Sequence, residues 1–289
     1  MRVLVKRRLD QSPFDLRVIR QAMTARLLLP AAAPRGVRVE SSRDAQAPGE
    51  WAIPLGAPTD RAVLFVHGGA FIAGSPRTHR ALTTWLAARS GVRVLSLDYR
   101  LAPEFPFPAG LDDVVQAIGR LESSGFALSR IALAGDSAGA ALVLGAMQRL
   151  RAAGRTMPAA AALICPLTDM TDASGSLRTN ARSEPLLSLR HRTQSFVLYA
   201  GATPLDDPLL SPLYADLRDF PPLLVESSDI EVLWDDARRL VERARAAGVS
   251  VVFVPQRGLG HDWQLFVPYV PEARQSVERI AKFLADHLR

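Results

Sequence analysis

The sequence predicts an α/β fold in which a mostly parallel, eight-stranded sheet carries helices on both faces. From residue 62 onward, apolar runs of strand length alternate with segments of helical period, the rhythm of strands joined by crossover helices. The 289 residues are 48% hydrophobic and 22% charged, enough apolar material for one large core and too much for a disordered chain. No internal repeat appears.

The first 35 residues read as irregular. Val37 to Ser41 and Glu50 to Leu55 then form a strand pair joined by the turn-rich segment Asp44-Ala45-Gln46-Ala47-Pro48-Gly49, an antiparallel edge. The expected order continues with strand Ala62 to Val66, helix Thr78 to Arg89, strand Arg93 to Leu97, helix Leu111 to Ser123, strand Arg130 to Ala134 and helix Ala138 to Ala153. After strand Ala160 to Cys165 the rhythm breaks. Residues 168–219 are too long for an ordinary connection, are rich in Ser, Thr, Pro and Asp, and contain one helix-like stretch, Leu189 to Tyr199, so they read as a cap insertion. Strand Leu223 to Glu226, helix Leu233 to Ala247 stopped by Gly248, strand Ser250 to Val254 and helix Glu272 to Leu288 complete the chain.

Composition excludes several classes of function. The longest nearly unbroken apolar run, Met157 to Leu167, falls far short of the roughly 20 residues that span a bilayer. Arg26 and the apolar residues to Ala33 resemble a signal peptide only weakly, because the stretch is short and follows Asp10 and Asp15. A single cysteine, Cys165, precludes an intramolecular disulfide and fits a reducing compartment, so a cytoplasmic protein is expected, with Cys165 as a small core residue. The net charge is +6, but the arginines are scattered. Stretches such as Asp235 to Arg243 intersperse both signs at helical spacing, which argues against nucleic-acid binding.

The strongest chemical signal is Gly135-Asp136-Ser137-Ala138-Gly139, placed between an apolar strand and the helix that follows, which is the setting of a nucleophile elbow. Small residues at both ends let a strained turn close on strand and helix and leave Ser137 as nucleophile. His67-Gly68-Gly69-Ala70 follows an earlier strand, where Gly68 and Gly69 can offer main-chain N–H groups that join the Ala138 N–H in an oxyanion hole. His67, at the strand end, and Asp136, inside the pentapeptide, are read as supporting residues without a proton-transfer role. Of five histidines, His261 alone follows the last strand in a loop that can reach the elbow, and it is the expected base. The acid lies in the loop after strand Leu223 to Glu226. Glu231 is preferred, since it opens the next helix among packed neighbours, with Asp229 as the alternative. Phe71 and Trp263 are bulky groups beside this machinery that either narrow a pocket or belong to the core.

Five segments now stand in order: His67 to Ala70, Asp98-Tyr99-Arg100-Leu101-Ala102-Pro103-Glu104, Gly135 to Gly139, Glu231-Val232-Leu233-Trp234-Asp235 and Gly260-His261-Asp262-Trp263-Gln264. Together they resemble the bacterial hormone-sensitive-lipase-like esterases, or bacterial lipase family IV, of the α/β-hydrolase superfamily. The order serine, acid, histidine is the one that superfamily uses. The resemblance implies an α/β-hydrolase fold over residues 1–289, a helical cap built from about residues 1–35 plus 168–219, and a preference for short- to medium-chain esters. It also implies that Asp98 and Tyr99 brace the oxyanion loop. Two departures stand out: Ala70 replaces a third glycine, and Glu226-Ser227-Ser228-Asp229-Ile230 replaces a glycine-containing stretch.

The function expected is a serine carboxylesterase acting through an acyl-enzyme. A lactone hydrolase or an arylformamidase-like amidase on the same triad is the nearer alternative. A non-catalytic receptor, like the plant gibberellin receptor that lacks the histidine, is the remote one. Neither metal nor cofactor is expected, because no His, Cys and carboxylate cluster has ligand spacing and the glycine loops lack a phosphate-cradle context. The expected partner is a small-molecule ester, with no nucleic acid and no membrane; a homodimer is left open.

Overall fold

The computed structural model describes residues 14–25 and 33–289. Strands β1 (Val37–Ser41), β2 (Gly49–Pro54), β3 (Ala62–Val66), β4 (Arg93–Leu97), β5 (Ile131–Asp136), β6 (Ala161–Ile164), β7 (Leu223–Ser228) and β8 (Val251–Gln256) form one eight-stranded sheet in the order β1-β2-β4-β3-β5-β6-β7-β8. The β1–β2 and β2–β4 ladders are antiparallel and the others parallel, so the expected antiparallel edge is present.

Side chains alternate across the sheet and build a core on each face. Ala62, Leu64 and Val66 of β3 face one core with Ile131 and Leu133 of β5, while Val63 and Phe65 face the other with Ala132 and Ala134. Helices α3 (Ala109–Ser123), α4 (Ala138–Ala152) and α7 (Trp234–Ala246) supply the first core. Helices α2 (Pro76–Ser90) and α8 (Pro271–His287) supply the second. Helix α2 starts two residues before the expected Thr78. Ser75 caps it in a reciprocal box with Thr78, and Pro76 takes the first turn, where its missing N–H costs nothing.

Two strands run past their apolar stretches. β5 continues to Asp136 and β7 to Ser228, and these polar ends are buried and paired in the ladders. Read by hydropathy, both look like loops. In the fold they are the rigid ends that carry the chemically interesting side chains.

The N-terminal segment is not wholly irregular. Helix α1 (Leu16–Ala25) starts where Asp15 Oδ1 accepts the N–H groups of Arg17 at 2.8 Å and Val18 at 3.3 Å. Ile19 and Met23 pack on the first core. Arg20 ties the helix down, donating from Nε to the Ile72 carbonyl at 2.8 Å and from Nη1 to Glu104 at 2.8 Å. Residues 26–32 of the weakly signal-like stretch, and residues 1–13, lie outside the described residues. No helix among the described residues is long and apolar enough to cross a membrane.

Between β6 and β7 the chain forms α5 (Ser176–Thr179), α6 (Leu189–Ala200) and a 3-10 turn at Pro212–Tyr214. Asp236 of α7 anchors the start of this segment. Its fully buried carboxylate accepts from the N–H groups of Thr168 and Asp169 at 2.8 and 2.9 Å and from Ser174 Oγ at 2.7 Å. Asp236→Ala strands three buried donors, so it is expected to cost about 3 kcal/mol, measured as a lower urea midpoint. An unchanged midpoint would show that the anchor is dispensable.

Candidate active site

Ser137 sits between β5 and α4 with φ 51 and ψ −120, a conformation L-residues adopt only under strain. The turn exists because its flanks are bare. A Cβ on Gly139 would stand 2.0 Å from the Val66 carbonyl oxygen, and one on Gly135 2.7 Å from the Gly139 carbonyl carbon. The N-terminus of α4 therefore closes directly onto the ends of β3 and β5. The Ser137 N–H donates to the Ile164 carbonyl at 2.8 Å, which fixes the residue across the sheet.

His261 arrives from the loop after β8. That loop is pinned by the Gly258 N–H to Asp229 Oδ1 at 2.9 Å and the Leu259 N–H to Ser228 Oγ at 3.1 Å. The two atoms that matter are close: His261 Nε2 is 2.9 Å from Ser137 Oγ, and His261 Nδ1 is 2.7 Å from Glu231 Oε2. Glu231 Oε1 accepts from the Ser228 N–H at 2.7 Å and from Ser227 Oγ at 3.2 Å, so both carboxylate oxygens are engaged. An ionised carboxylate only accepts, so Nδ1 carries the proton and Nε2 is left to accept from the serine hydroxyl. Glu231, rather than Asp229, reaches the imidazole. Asp229 instead tethers the histidine's loop.

The glycine loop holds a correction. The Gly68 N–H donates to Asp136 Oδ1 at 3.0 Å, so it is not available to an oxyanion. The N–H groups of Gly69, Ala70 and Ala138 have no hydrogen-bond partner among the described residues, so the unpaired N–H groups of the loop are those of Gly69 and Ala70 rather than Gly68. Gly69 at φ 123 and Ala70 at φ 54 make the bend that Asp136 enforces. Asp136 is itself held by His79, whose Nε2 is 3.1 Å from Oδ2. Burial disfavours the His79 imidazolium, but Asp136 outweighs it and raises the pKa. Asp136 thus links the glycine loop to His79, which was missed because its partner lies 57 residues away.

His67 is buried and stacks on His79. Burial, and then the neighbouring His79, push its pKa down to about 3, and its Nδ1 donates to the Gly68 carbonyl at 2.8 Å. Tyr99 braces the loop, donating its hydroxyl to the His67 carbonyl at 2.8 Å and stacking on that ring. Asp98 does not. Consecutive residues of an extended segment point opposite ways, and its exposed carboxylate has no hydrogen bond or ion pair among the described residues.

A sequence profile of the α/β hydrolase fold matches residues 63–265. An acetyl-hydrolase of Streptomyces hygroscopicus is 40% identical over 235 residues, 81% of this chain and 78% of that protein. An esterase of Acinetobacter venetianus is 38% identical over 228 residues, 78% and 75% of the two chains. The crystal structure of an esterase from the bacterial hormone-sensitive lipase family superposes with a TM-score of 0.93 at 39% identity, covering 100% of this chain and 97% of the other. The chain belongs to the α/β-hydrolase fold family, in its bacterial hormone-sensitive-lipase-like branch.

In this α/β hydrolase, Ser137 opens into a cavity of about 370 Å³. Its lining is mostly apolar, with Met23, Leu187 and Phe196 among others, and also holds the polar Asp136, Ser188, Arg192 and Asp262 beside Gly69, Ala70 and His261. Phe71 and Trp263 are not among the lining residues; both are core. Phe71 stacks on Tyr199 with ring centroids 3.8 Å apart, and Trp263 packs in the core on the α2 and α8 side. Candidate ligand atoms of Cys165, Glu231 and His261 converge within 4.8 Å. They suit a metal poorly, since Glu231 and His261 bind each other and burial pushes the Cys165 thiol well above its usual pKa.

Burial disfavours the His261 imidazolium, but Asp262, with Oδ2 3.0 Å from Nε2, and then Glu231 outweigh it and raise the pKa well above 6.5. The neutral imidazole, the form whose Nε2 accepts from the Ser137 hydroxyl, is therefore reached at a higher pH than for an ordinary histidine. Asp262→Asn removes the first of these opposing charges. In a 15N NMR titration, His261 is expected to titrate above the ordinary histidine range and to move down in the variant. Titration at the ordinary value in both proteins would contradict this balance.

Proposed function

We propose that this α/β hydrolase is a serine carboxylesterase that hydrolyses short- to medium-chain carboxylic esters with Ser137, His261 and Glu231. The supporting observation is the unbroken hydrogen-bonded line from Glu231 Oε2 through both nitrogens of His261 to Ser137 Oγ, beside N–H groups with no hydrogen-bond partner among the described residues. His261 Nε2 takes the hydroxyl proton as Ser137 Oγ attacks the ester carbonyl. Glu231 stabilises the imidazolium through Nδ1–H, and the N–H groups of Gly69, Ala70 and Ala138 receive the developing oxyanion. Collapse returns the Nε2 proton to the leaving alcohol and leaves the acyl group on Ser137. Water, deprotonated by the same nitrogen, then releases the acid.

Helix α1 and the segment between β6 and β7 act as a cap in this reading. Ile19 and Met23 from the first, and Leu186, Leu187 and Phe196 from the second, close the cavity over the serine. A mostly apolar cavity of this size accommodates a short acyl chain without displacing packed side chains, whereas a long one must push past them. A receptor role is disfavoured by a histidine that is both present and hydrogen-bonded on its two sides.

Kinetics on p-nitrophenyl esters test the assignment. Ser137→Ala and Glu231→Ala are each expected to lower kcat on the butyrate by about 10⁴-fold or more, and Asp229→Ala by far less. Acetate, butyrate and hexanoate should outrun palmitate. Severe loss in Asp229→Ala with Glu231→Ala spared would reverse the acid assignment, and a lactone or anilide turned over faster than every ester would replace the ester reading.

A further inference from the structure

Asp262 follows His261 directly and takes a left-handed conformation, φ 51 and ψ 41, which Asp and Asn tolerate better than most residues. The turn brings its carboxylate to the imidazole. Oδ2 lies 3.0 Å from Nε2, the same nitrogen that stands 2.9 Å from the Ser137 hydroxyl. Asp262 lines the cavity, is only 7% exposed, and its Oδ1 has no hydrogen-bond partner among the described residues. The triad leaves it without a task, since Glu231 already orients Nδ1. A buried carboxylate oxygen with nothing to accept is costly, and a donor brought by the substrate removes that cost.

The position says which part of the substrate supplies the donor. In the collapse step His261 Nε2 must stand roughly 3 Å from the leaving alcohol oxygen to deliver its proton. Oδ2 is within 3.0 Å of that nitrogen. Leaving oxygen and Asp262 are thus no more than about 6 Å apart, and a donor two carbons along the alcohol closes the gap. The acyl oxygen turns the other way, toward Gly69 and Ala70. Charge points to the same class of substrate. Asp136 and Asp262 line the cavity beside the imidazoles of His79 and His261, with Glu231 behind. Arg192, the one guanidinium among the described lining residues, is already paired with Asp172.

The geometry points to Asp262 as a specificity residue that accepts a hydrogen bond from the leaving alcohol, so that the esters preferred are those of alcohols with a hydroxyl or ammonium donor on the neighbouring carbon. Polyol and amino-alcohol esters fit this description, and esters whose alcohol part carries a carboxylate are repelled. The inference rests on the esterase reading above.

Three butyrate esters of nearly equal size test it: n-propyl, 2-hydroxyethyl and carboxymethyl, each assayed with the wild type, Asp262→Ala and Asp262→Asn. Dividing each kcat/KM by that for the propyl ester, and then comparing enzymes, cancels differences in intrinsic reactivity and any general loss of activity. The hydroxyethyl preference is expected to fall about tenfold in Asp262→Ala and less in Asp262→Asn, whose amide oxygen still accepts. Discrimination against the carboxymethyl ester should relax about tenfold in both variants, because both lose the charge. Asn keeps the left-handed turn, so the measurement survives if the alanine variant misfolds. Unchanged ratios in an Asp262→Asn enzyme that still hydrolyses the propyl ester overturn the inference and leave the esterase reading standing. Failure of the wild type to hydrolyse any of the three overturns both.

Discussion

His261 Nδ1 and Glu231 Oε2 lie 2.7 Å apart with both side chains buried, and much of the surrounding architecture holds them there. A carboxylate in this position is unfavourable unless its lone pairs are filled, and here the end of β7 fills them through the Ser228 N–H and the Ser227 hydroxyl. The same strand end steadies the histidine's loop through Ser228 Oγ. One strand, carried beyond its apolar stretch, thereby sets Glu231 and the approach of His261 together. The pairing also decides the tautomer, leaving Nε2 to accept from the Ser137 hydroxyl.

The opposite side of the site is governed by close approach. Because Gly139 has no side chain, α4 sits against the end of β3, and the Ser137 turn is held against its strain. β5 ends in Asp136, whose carboxylate reaches sideways to the Gly68 N–H and to His79. Nucleophile and glycine loop are therefore positioned by neighbouring residues of one chain segment. A shift of β5 would move both in step, which keeps the N–H groups of the glycine loop in register with Ser137.

Much of this was legible in the sequence where the signal is local. All eight strands begin within one residue of their apolar runs as read, and the segments around Ser137, Glu231 and His261 mark three residues that the fold brings into one hydrogen-bonded line. What was not legible depends on partners distant in the chain. The Gly68 N–H looks as free as that of Ala70 until Asp136 is placed beside it. Phe71 and Trp263 are near the chemistry in sequence, but each side chain turns into the core. Helix α1 escaped notice because its apolar stripe, Leu16, Ile19 and Met23, spans barely two turns, and such a helix persists through packing rather than propensity. Asp98 and Tyr99 share a motif, yet Tyr99 is buried and bonds the His67 carbonyl while Asp98 faces water.

The central claim is that Ser137 is the nucleophile that this geometry activates. Its most direct test is to treat the intact protein with an organophosphate ester and locate the adduct by peptide mass spectrometry. One phosphoryl group per chain, on Ser137 and lost in step with esterase activity, is the predicted result. A stoichiometric adduct on Cys165 or another residue, with Ser137 unmodified while activity disappears, would contradict it.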